Sequence, residues 1–359
     1  MGFLRVFLAI VVIINHTSPL FGLVFTDAYI AVKIFFIISG FYMALILNEK
    51  YTGPGSIRLF FTNRFLRLYP TYWMVVALSV GASLAFHHFL DYTLVLGPWL
   101  THAHRLASSS IMAFVAANTA IFGQDFLFFT SLSPQTGQLV LDANSMAAVQ
   151  PAWFYLAAPQ AWTLSVELTF YLIAPFVIRR GLRPLVLLIA ASLAVRLAIW
   201  IAELPLDPWC QRFTPAELCF FLLGGVCYHL YLRIKTMRPR LAILRAVTFS
   251  YLAFLFMYQF LPGEASIPKD YATYILTVLA LPFVFYHTKS IKWDRMIGEL
   301  SYPLYISHWL VIVVMRYYFS PQWLPAASVV GTLVFSVLIT AFFNSPIERY
   351  RQKRVLRAA

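Results

Sequence analysis

Long stretches of apolar residues without charge are the feature that most limits what this chain can fold into. Residues 7–14, 34–46 and 185–193 carry no charge, and with their flanks they approach the roughly 20 apolar residues that a helix needs to cross a bilayer. Of the 359 residues, 61% are hydrophobic and 11% are charged, against about 25% charged in soluble domains. The sequence therefore predicts an integral membrane protein with the lipid bilayer as its surroundings.

We predict an all-α, polytopic membrane bundle of about ten transmembrane helices. The spans lie near 3–25, 28–47, 70–91, 161–178, 184–202, 215–234, 242–260, 271–288, 297–318 and 324–343. The first stretch lacks a strongly basic leader and a clear cleavage site before Thr26, so we interpret it as an uncleaved span. We expect one membrane domain over 1–348 and a short basic cytoplasmic tail over 349–359.

The positions of the basic residues predict the orientation, since short cytoplasmic loops of membrane proteins collect Lys and Arg. With both termini cytoplasmic, 21 of the 27 basic residues fall in cytoplasmic segments. They are Arg5; Lys50, Arg58, Arg64 and Arg67; Arg179, Arg180 and Arg183; Arg233, Lys235, Arg238, Arg240 and Arg245; Lys289, Lys292 and Arg295; and Arg349, Arg351, Lys353, Arg354 and Arg357. The chain is expected in an inner (cytoplasmic) membrane.

The stretch 92–160 is the longest connection, and it contains an apolar run at 110–122. This run is too short to span a bilayer and is followed by Gly123, Gln124 and Asp125. An extra crossing would also place every later basic loop outside. We predict a re-entrant or interfacial segment on the non-cytoplasmic side.

The sequence gives little support for a nucleic-acid-binding site or a metal site. The net charge of +13 reflects basic residues at the ends of apolar segments, which is typical of a topology signal, so nucleic-acid binding is not expected. Cys210, Cys219 and Cys227 lack the paired spacing of zinc sites. We expect buried thiols and no metal.

Ionisable residues inside spans are costly and usually mark function or a buried partner. His16 follows Arg5 by 11 residues, about 16 Å along a helix and on nearly the same face, which predicts Arg5 at the cytoplasmic mouth and His16 near the middle of the membrane. A neutral imidazole suits removal of a proton from a sugar hydroxyl near neutral pH. The alternative is a structural histidine bonded to a neighbouring helix.

Three further groups of polar residues stand out. Arg64 and Arg67, in the loop R-F-L-R-L-Y-P entering the third span, share a face if helical and could bind phosphates of a nucleotide-bearing donor, or only enforce topology. Glu167 could orient a substrate or a catalytic side chain, or stabilise a helix N-terminus, and Tyr171 follows one turn later. His308 lies within the ninth span and could be structural.

Taken together, these segments resemble the acyltransferase-3 family of membrane acyltransferases, over nearly the whole chain. The resemblance is carried by five motifs in order: Arg5 to His16, F-F-I-I-S-G-F at 35–41, Arg64 with Arg67, W-T-L-S-V-E at 162–167, and S-Y-P-L-Y-I-S-H-W at 301–309. This chain differs from the family at Lys33, where Asp is frequent, and at Leu168 and Thr169. Many relatives also carry a C-terminal soluble esterase-like domain.

The resemblance implies an O-acyltransferase of bacterial surface polysaccharides or related acceptors. It implies that His16 is the essential histidine and that Arg5, Arg64 and Arg67 serve acyl-CoA, most simply acetyl-CoA. We add Glu167 to His16 as the second catalytic candidate. Ser39, Tyr171 and His308 are the substrate-binding candidates. The acceptor would be a glycan or lipid-linked saccharide, and a separate periplasmic protein is a possible partner.

Two other functions stay open at this point. A transporter or flippase of glycans or small solutes would use His16 and Glu167 as a proton relay, although the repeated halves typical of transporters are not evident. An assembly subunit of a polysaccharide machine would leave the Arg and His residues without a purpose. No Cys or Ser sits beside a base, which favours direct transfer over a covalent acyl-enzyme.

The charge distribution makes a direct prediction about topology. Cysteine labelling of intact cells should place Ser133 on the non-cytoplasmic side and Arg354 in the cytoplasm, since the cytoplasmic loops hold most of the basic residues. Labelling that puts both positions on one side would contradict the ten-span arrangement.

Overall fold

The fold is almost entirely helical. A computed structural model describes residues 1–261 and 267–356. Its α-helices are α1 (Gly2–Asn15), α2 (Ala28–Glu49), α3 (Ser56–Leu90), α4 (Gly97–His102), α5 (Ser108–Ala120), α6 (Trp162–Val177), α7 (Leu182–Ile201), α8 (Thr214–Met237), α9 (Leu241–Met257), α10 (Ile267–Thr288), α11 (Lys292–Glu299), α12 (Ser301–Tyr318), α13 (Leu324–Leu338) and α14 (Ser345–Leu356). Strands β1 (Thr130–Leu132) and β2 (Leu139–Leu141) form an antiparallel hairpin between α5 and α6.

The predicted fold class is confirmed. Among the described residues, eight helical segments are long and apolar enough to cross a membrane: Ala28–Glu49, Ser56–Leu90, Pro159–Arg180, Leu182–Ile201, Leu206–Met237, Pro268–Thr288, Lys292–Tyr318 and Leu324–Val355. The remaining two predicted spans coincide with shorter apolar helices, Gly2–Asn15 and Leu241–Phe256. The chain is a multi-pass membrane protein.

The first helix is shorter than the sequence pattern predicts. The expected span at 3–25 is wrong beyond Asn15, where α1 ends. The hydroxyl of Thr17 donates to the carbonyls of Ile13 and Ile14 and so satisfies acceptors that every helix end leaves open. His16 consequently caps the end of α1 and does not lie in the middle of a helix.

The third helix is longer than predicted. It begins at Ser56, so the segment R-F-L-R-L-Y-P is part of α3 and not a loop, with Pro70 inside the helix. At 35 residues, α3 extends about 52 Å, more than the roughly 30 Å of a hydrocarbon core. Its first turns therefore carry Arg64 and Arg67 on a rigid helix toward the end where α1 begins.

The connection at 92–160 forms α4, α5 and the hairpin. Helix α5 has 13 residues, or about 20 Å, which is too short to span the hydrocarbon core. Three aromatic side chains of α3 hold its C-terminal end. Tyr69, Tyr72 and Trp73 donate to the carbonyls of Ala120, Asn118 and Thr119 at 2.7, 2.6 and 2.8 Å. These bonds supply donors that a helix C-terminus otherwise lacks.

Helices α2 and α8 share the most extensive contact of any described pair of helices. Two glycines permit this approach. A Cβ atom at Gly40 would lie 1.8 Å from the Phe221 carbonyl oxygen, and one at Gly224 would lie 2.2 Å from the Ile37 carbonyl oxygen. Small residues serve the same purpose at helix interfaces in membranes generally.

A buried ion triad joins the same two helices near their N-terminal ends and includes Arg196 of α7. Lys33 Nζ lies 2.6 Å from Glu217 Oε2, and Arg196 Nη1 lies 3.1 Å from Glu217 Oε1. Lys33 and Glu217 are almost completely buried, and buried charges must be paired. Lys33, which departs from the family pattern, therefore acts with Glu217 as a structural pair between α2 and α8.

The end of the described chain packs against α3. Arg354 donates to Thr62 Oγ1 at 2.8 Å and to Asn63 Oδ1 at 3.2 Å. Residues 349–356 of the predicted tail belong to α14. The last three residues of the predicted tail, 357–359, which include Arg357, lie outside the described residues.

The glycine contact between α2 and α8 can be tested. We expect Gly224→Ala to lower the free energy of unfolding by about 1–3 kcal/mol, because the added methyl must displace the α2 backbone. Thermal unfolding of the detergent-solubilised protein measures this.

Gly81→Ala is the matched control. A Cβ atom at Gly81, inside α3, would meet nothing within 4 Å, so this variant should be neutral or slightly more stable. Equal destabilisation by both substitutions would show that the α2–α8 approach is not tight.

Candidate active site

One large cavity collects most of the polar residues predicted from the sequence. Its volume is about 400 Å³, within the range of sites for small molecules. Residues of α1, α2, α3, α6, α10, α11, α12 and α14 line it. The predicted site residues among them are Arg5, Ser39, Arg64, Arg67, Glu167 and Tyr171. The fold thus brings together residues more than 160 positions apart.

Basic side chains dominate the lining. Among the described residues that line the cavity, seven are Lys or Arg and four are Asp or Glu. The basic ones are Arg5, Lys50, Arg64, Arg67, Lys289, Arg295 and Arg351. The excess of positive charge makes the cavity a favourable place for an anion.

Arg64 has a buried hydrogen-bond donor that is unpaired among the described residues. Its guanidinium carbon lies 5.9 Å from the ring centres of Phe60 and Tyr171. Its buried Nε has no hydrogen-bond partner among the described residues. A buried donor left unpaired is costly, so an acceptor atom of a ligand would stabilise it.

Arg5 is positioned by the start of α1. The carboxylate of Asp294 accepts from the backbone N–H of Gly2 at 2.8 Å and of Phe3 at 2.9 Å, which caps the helix N-terminus. One turn on, the Arg5 guanidinium lies 5.9 Å from the Tyr42 ring centre. Helix α11, which carries Asp294, therefore fixes the depth of Arg5 in the cavity.

Glu167 organises a hydrogen-bonded cluster on the cavity wall. The hydroxyls of Ser39 and Tyr171 both donate to its Oε1. Ser39 precedes Gly40, so the close approach of α2 to α8 also places this hydroxyl. The second carboxylate oxygen of Glu167 takes part in neither bond and remains able to accept from a ligand.

Thr163 and Tyr305 both line the cavity. The Thr163 hydroxyl donates to Tyr305 Oη at 2.9 Å. The backbone carbonyl of Tyr305 in turn lies 2.6 Å from His308 Nδ1. This chain of contacts leads from the cavity to the histidines.

His16 and His308 form a stacked pair at the far end of this chain of contacts. Their ring centres are 5.3 Å apart with an angle of 15° between the planes, and Trp309 packs edge-on against His16 at 5.5 Å. His308 is fully buried, and its Nε2 has no partner among the described residues. His16 is exposed. Neither histidine is among the residues that line the cavity.

The motif W-T-L-S-V-E attaches several parts of the protein to one another. Trp162 packs on the guanidinium of Arg212 at 4.5 Å, with Phe128 at 4.0 Å on the same cation. The Ser165 hydroxyl donates to Asp125 Oδ1 at 2.6 Å. Burial raises the pKa of Asp125, and the hydroxyl donors that it accepts oppose this rise.

Sequence reasoning missed several residues of the cavity. Thr163 and Tyr305 stand inside the motifs at 162–167 and 301–309 but were not selected. Arg351 was interpreted only as a topology signal, and Glu348 was not considered, yet both line the cavity. The motif positions offered a signal for the first two, whereas Arg351 and Glu348 had none beyond their charge.

Comparison with known proteins identifies the family of the chain. Residues 1–344 match the family described as Acyltransferase domain, the acyltransferase-3 family. The chain belongs to this family. Its activity is therefore acyl transfer, and the resemblance drawn from the five motifs is confirmed.

The aligned region covers different shares of the relatives' own lengths. The exopolysaccharide production protein ExoZ of Rhizobium meliloti is 24% identical over 357 residues, which are 95% of this chain and 96% of ExoZ. A putative O-acetyltransferase of Staphylococcus aureus is 21% identical over 380 residues, 96% of this chain but 56% of that protein. The chain thus spans about half the length of this relative.

A third relative, protein 2 in the picA locus of Rhizobium radiobacter, is 30% identical over 197 residues, 54% of this chain and 90% of that protein. No solved structure matches the chain.

Proposed function

We propose that this acyltransferase moves an acyl group, most simply acetyl, from cytoplasmic acyl-CoA to a hydroxyl of a cell-surface polysaccharide or another glycan-containing acceptor. It would do so in the bacterial inner membrane. The observation that carries the proposal is the convergence of Arg5, Arg64 and Arg67, from two separate helices, on one cavity.

The donor assignment rests on charge and position. Guanidinium groups bind phosphate oxygens in bidentate fashion, and the phosphates of coenzyme A supply the anions that the lining favours. The arginines lie at the end of the bundle where α1 begins and α14 packs, which the basic residues predict to be cytoplasmic. A donor made in the cytoplasm would enter there.

We assign the chemistry to the region between Tyr305 of the cavity lining and the two histidines. His16 would accept the proton of the acceptor hydroxyl while the hydroxyl oxygen attacks the thioester carbonyl carbon. The coenzyme A thiolate would then leave and take a proton from the imidazolium. His308 would bind a neighbouring hydroxyl of the glycan acceptor near His16, since its Nε2 lone pair has no other described partner.

Glu167 is the second catalytic candidate. Because two neutral hydroxyls donate to one of its oxygens, its carboxylate is held in a fixed orientation. In the proposed reaction it would orient the substrate, with Ser39 and Tyr171 as its support. A glycan as acceptor is supported by the similarity to ExoZ, whose name refers to exopolysaccharide production. A separate periplasmic protein could present that acceptor.

The arginines give a prediction about the donor. Arg64→Ala or Arg67→Ala should raise the KM for acyl-CoA on the order of tenfold to a hundredfold, because a charged hydrogen bond contributes roughly 1.5–3 kcal/mol. The acceptor KM should change little. Steady-state kinetics in proteoliposomes, with each substrate varied in turn, would measure both constants.

Arg58→Ala is the control for charge. Arg58 lies on the same helix and is exposed, and it is not among the residues that line the cavity. A change confined to the acceptor KM in Arg64→Ala would reverse our assignment of the two substrates.

His16 gives a prediction about the chemical step. His16→Ala should lower kcat by about 10²–10⁴-fold, the usual contribution of general-base catalysis, while acyl-CoA binding persists. The His16 side chain makes ring contacts but no hydrogen bond among the described residues, so its removal should alter the melting temperature little. Mass spectrometry of surface glycans should find the acyl group missing from cells with this variant.

His88→Ala is the matched control, since His88 is exposed on α3. Its activity should equal that of the wild type. Full transfer by His16→Ala would remove His16 as the base, and equal loss of melting temperature and activity would assign it a structural role instead.

A further inference from the structure

Helix α14 adds two charged residues to the donor cavity that the family match does not include. The match ends at residue 344, and α14 begins at Ser345. Glu348 and Arg351 nevertheless line the same cavity as Arg64 and Arg67. They also line a smaller adjoining cavity that shares Arg67. These two residues therefore lie beyond the matched domain.

Arg351 is held in place on the cavity wall. Its Nε donates to the backbone carbonyl of Asn63 at 3.0 Å, one residue before Arg64. Its side chain is 7% exposed. Arg354, nearly one turn later, donates to Thr62 and Asn63, so α14 is fastened to α3 beside the two family arginines.

Glu348 is the counter-ion of Arg351. The two side chains form an ion pair at i,i+3 spacing, and Glu348 is 31% exposed. Gln352 holds the other carboxylate oxygen at 3.2 Å. Because Glu348 is much less buried than Arg351, its carboxylate can turn toward water at lower cost.

Basic side chains outnumber acidic ones on the part of the cavity wall formed by α3, α11 and α14. Arg64, Arg67 and Arg351 face Glu348 and Glu299 on the cavity lining, and Arg64 Nε has no described partner. Adjacent guanidinium groups at low dielectric repel one another unless anions lie between them. A phosphate offers more charge and more acceptor oxygens than a carboxylate.

We propose that Arg351 is a third arginine of the site that binds the donor's phosphate groups. In the absence of donor, the Glu348 carboxylate pairs with the Arg351 guanidinium, and a phosphate of the donor displaces this carboxylate. This inference rests on the proposed function, since it assumes a donor that carries phosphates. It makes α14 a determinant of donor choice: the helix distinguishes thioesters of coenzyme A from thioesters that lack the nucleotide.

The experiment compares two donors, acetyl-CoA and S-acetylpantetheine, which carries the thioester without any phosphate. Arg351→Ala should raise the KM for acetyl-CoA about tenfold or more and leave the kinetics with S-acetylpantetheine unchanged. Glu348→Gln should lower the KM for acetyl-CoA, because the competing carboxylate is gone. A change in general stability would affect both donors equally.

Arg349→Ala is the matched control, because Arg349 lies on the same helix, is exposed and is not among the cavity-lining residues. It should behave as the wild type with both donors. Arg351→Lys, which keeps the charge and loses the planar fork, should give an intermediate KM. It also serves as the test if Arg351→Ala does not fold.

The outcomes separate the two claims. If the wild type uses acetyl-CoA and Arg64→Ala impairs that use, but Arg351→Ala and Arg351→Lys match Arg349→Ala, this inference is wrong and the proposed function stands. If the wild type uses acetyl-CoA no better than S-acetylpantetheine, both claims fail. A loss with Arg351→Ala that is equal for both donors also overturns the inference.

Discussion

The close crossing of α2 and α8 is the contact on which the candidate active site depends. Gly40 and Gly224 let the two backbones meet, and the pair of Lys33 with Glu217 joins the same helices at a second point. Two fixed points along one interface set the rotation of α2 about its axis. Because Ser39 is adjacent to Gly40, its hydroxyl is thereby directed at Glu167. A glycine that contacts no substrate thus determines where a substrate-binding candidate lies.

The motif W-T-L-S-V-E shows how one helical turn and a half can serve several neighbours. Its side chains project at about 100° intervals, and each polar one finds a partner on a different element. Trp162 packs on Arg212, Thr163 bonds to Tyr305, Ser165 bonds to Asp125, and Glu167 accepts from Ser39. Two of these contacts attach the segment 92–160 and the region before α8, and two lie on the cavity. The motif therefore joins the architecture of the bundle to the candidate site.

The helices could be predicted because a span of about 20 apolar residues leaves a signal in a single stretch of chain. The end of α1 was missed although Pro19 and Gly22 offered a signal, because the apolar residues that follow them resemble a continued span. The arginines and Glu167 were predicted from motifs, and they do share one cavity. The stacking of His16 on His308 joins residues 292 positions apart, and no local pattern encodes such a contact. Arg351 was hidden for a related reason: a basic residue near a span end satisfies the topology rule whether or not it also faces a cavity.

Arg5 and His16 stand at opposite ends of the same helix, which has a consequence for the donor. An α-helix is a rigid rod, and 11 residues fix a separation of about 16 Å between these two positions. In the proposed function, the phosphates of the donor bind near Arg5 at one end of α1, while its acyl group reacts near His16 at the other end. The length of α1 then determines how long the flexible arm between the phosphates and the thioester of the donor must be. Thioesters on much shorter arms would be held with their carbonyl out of reach, however well their charges fit.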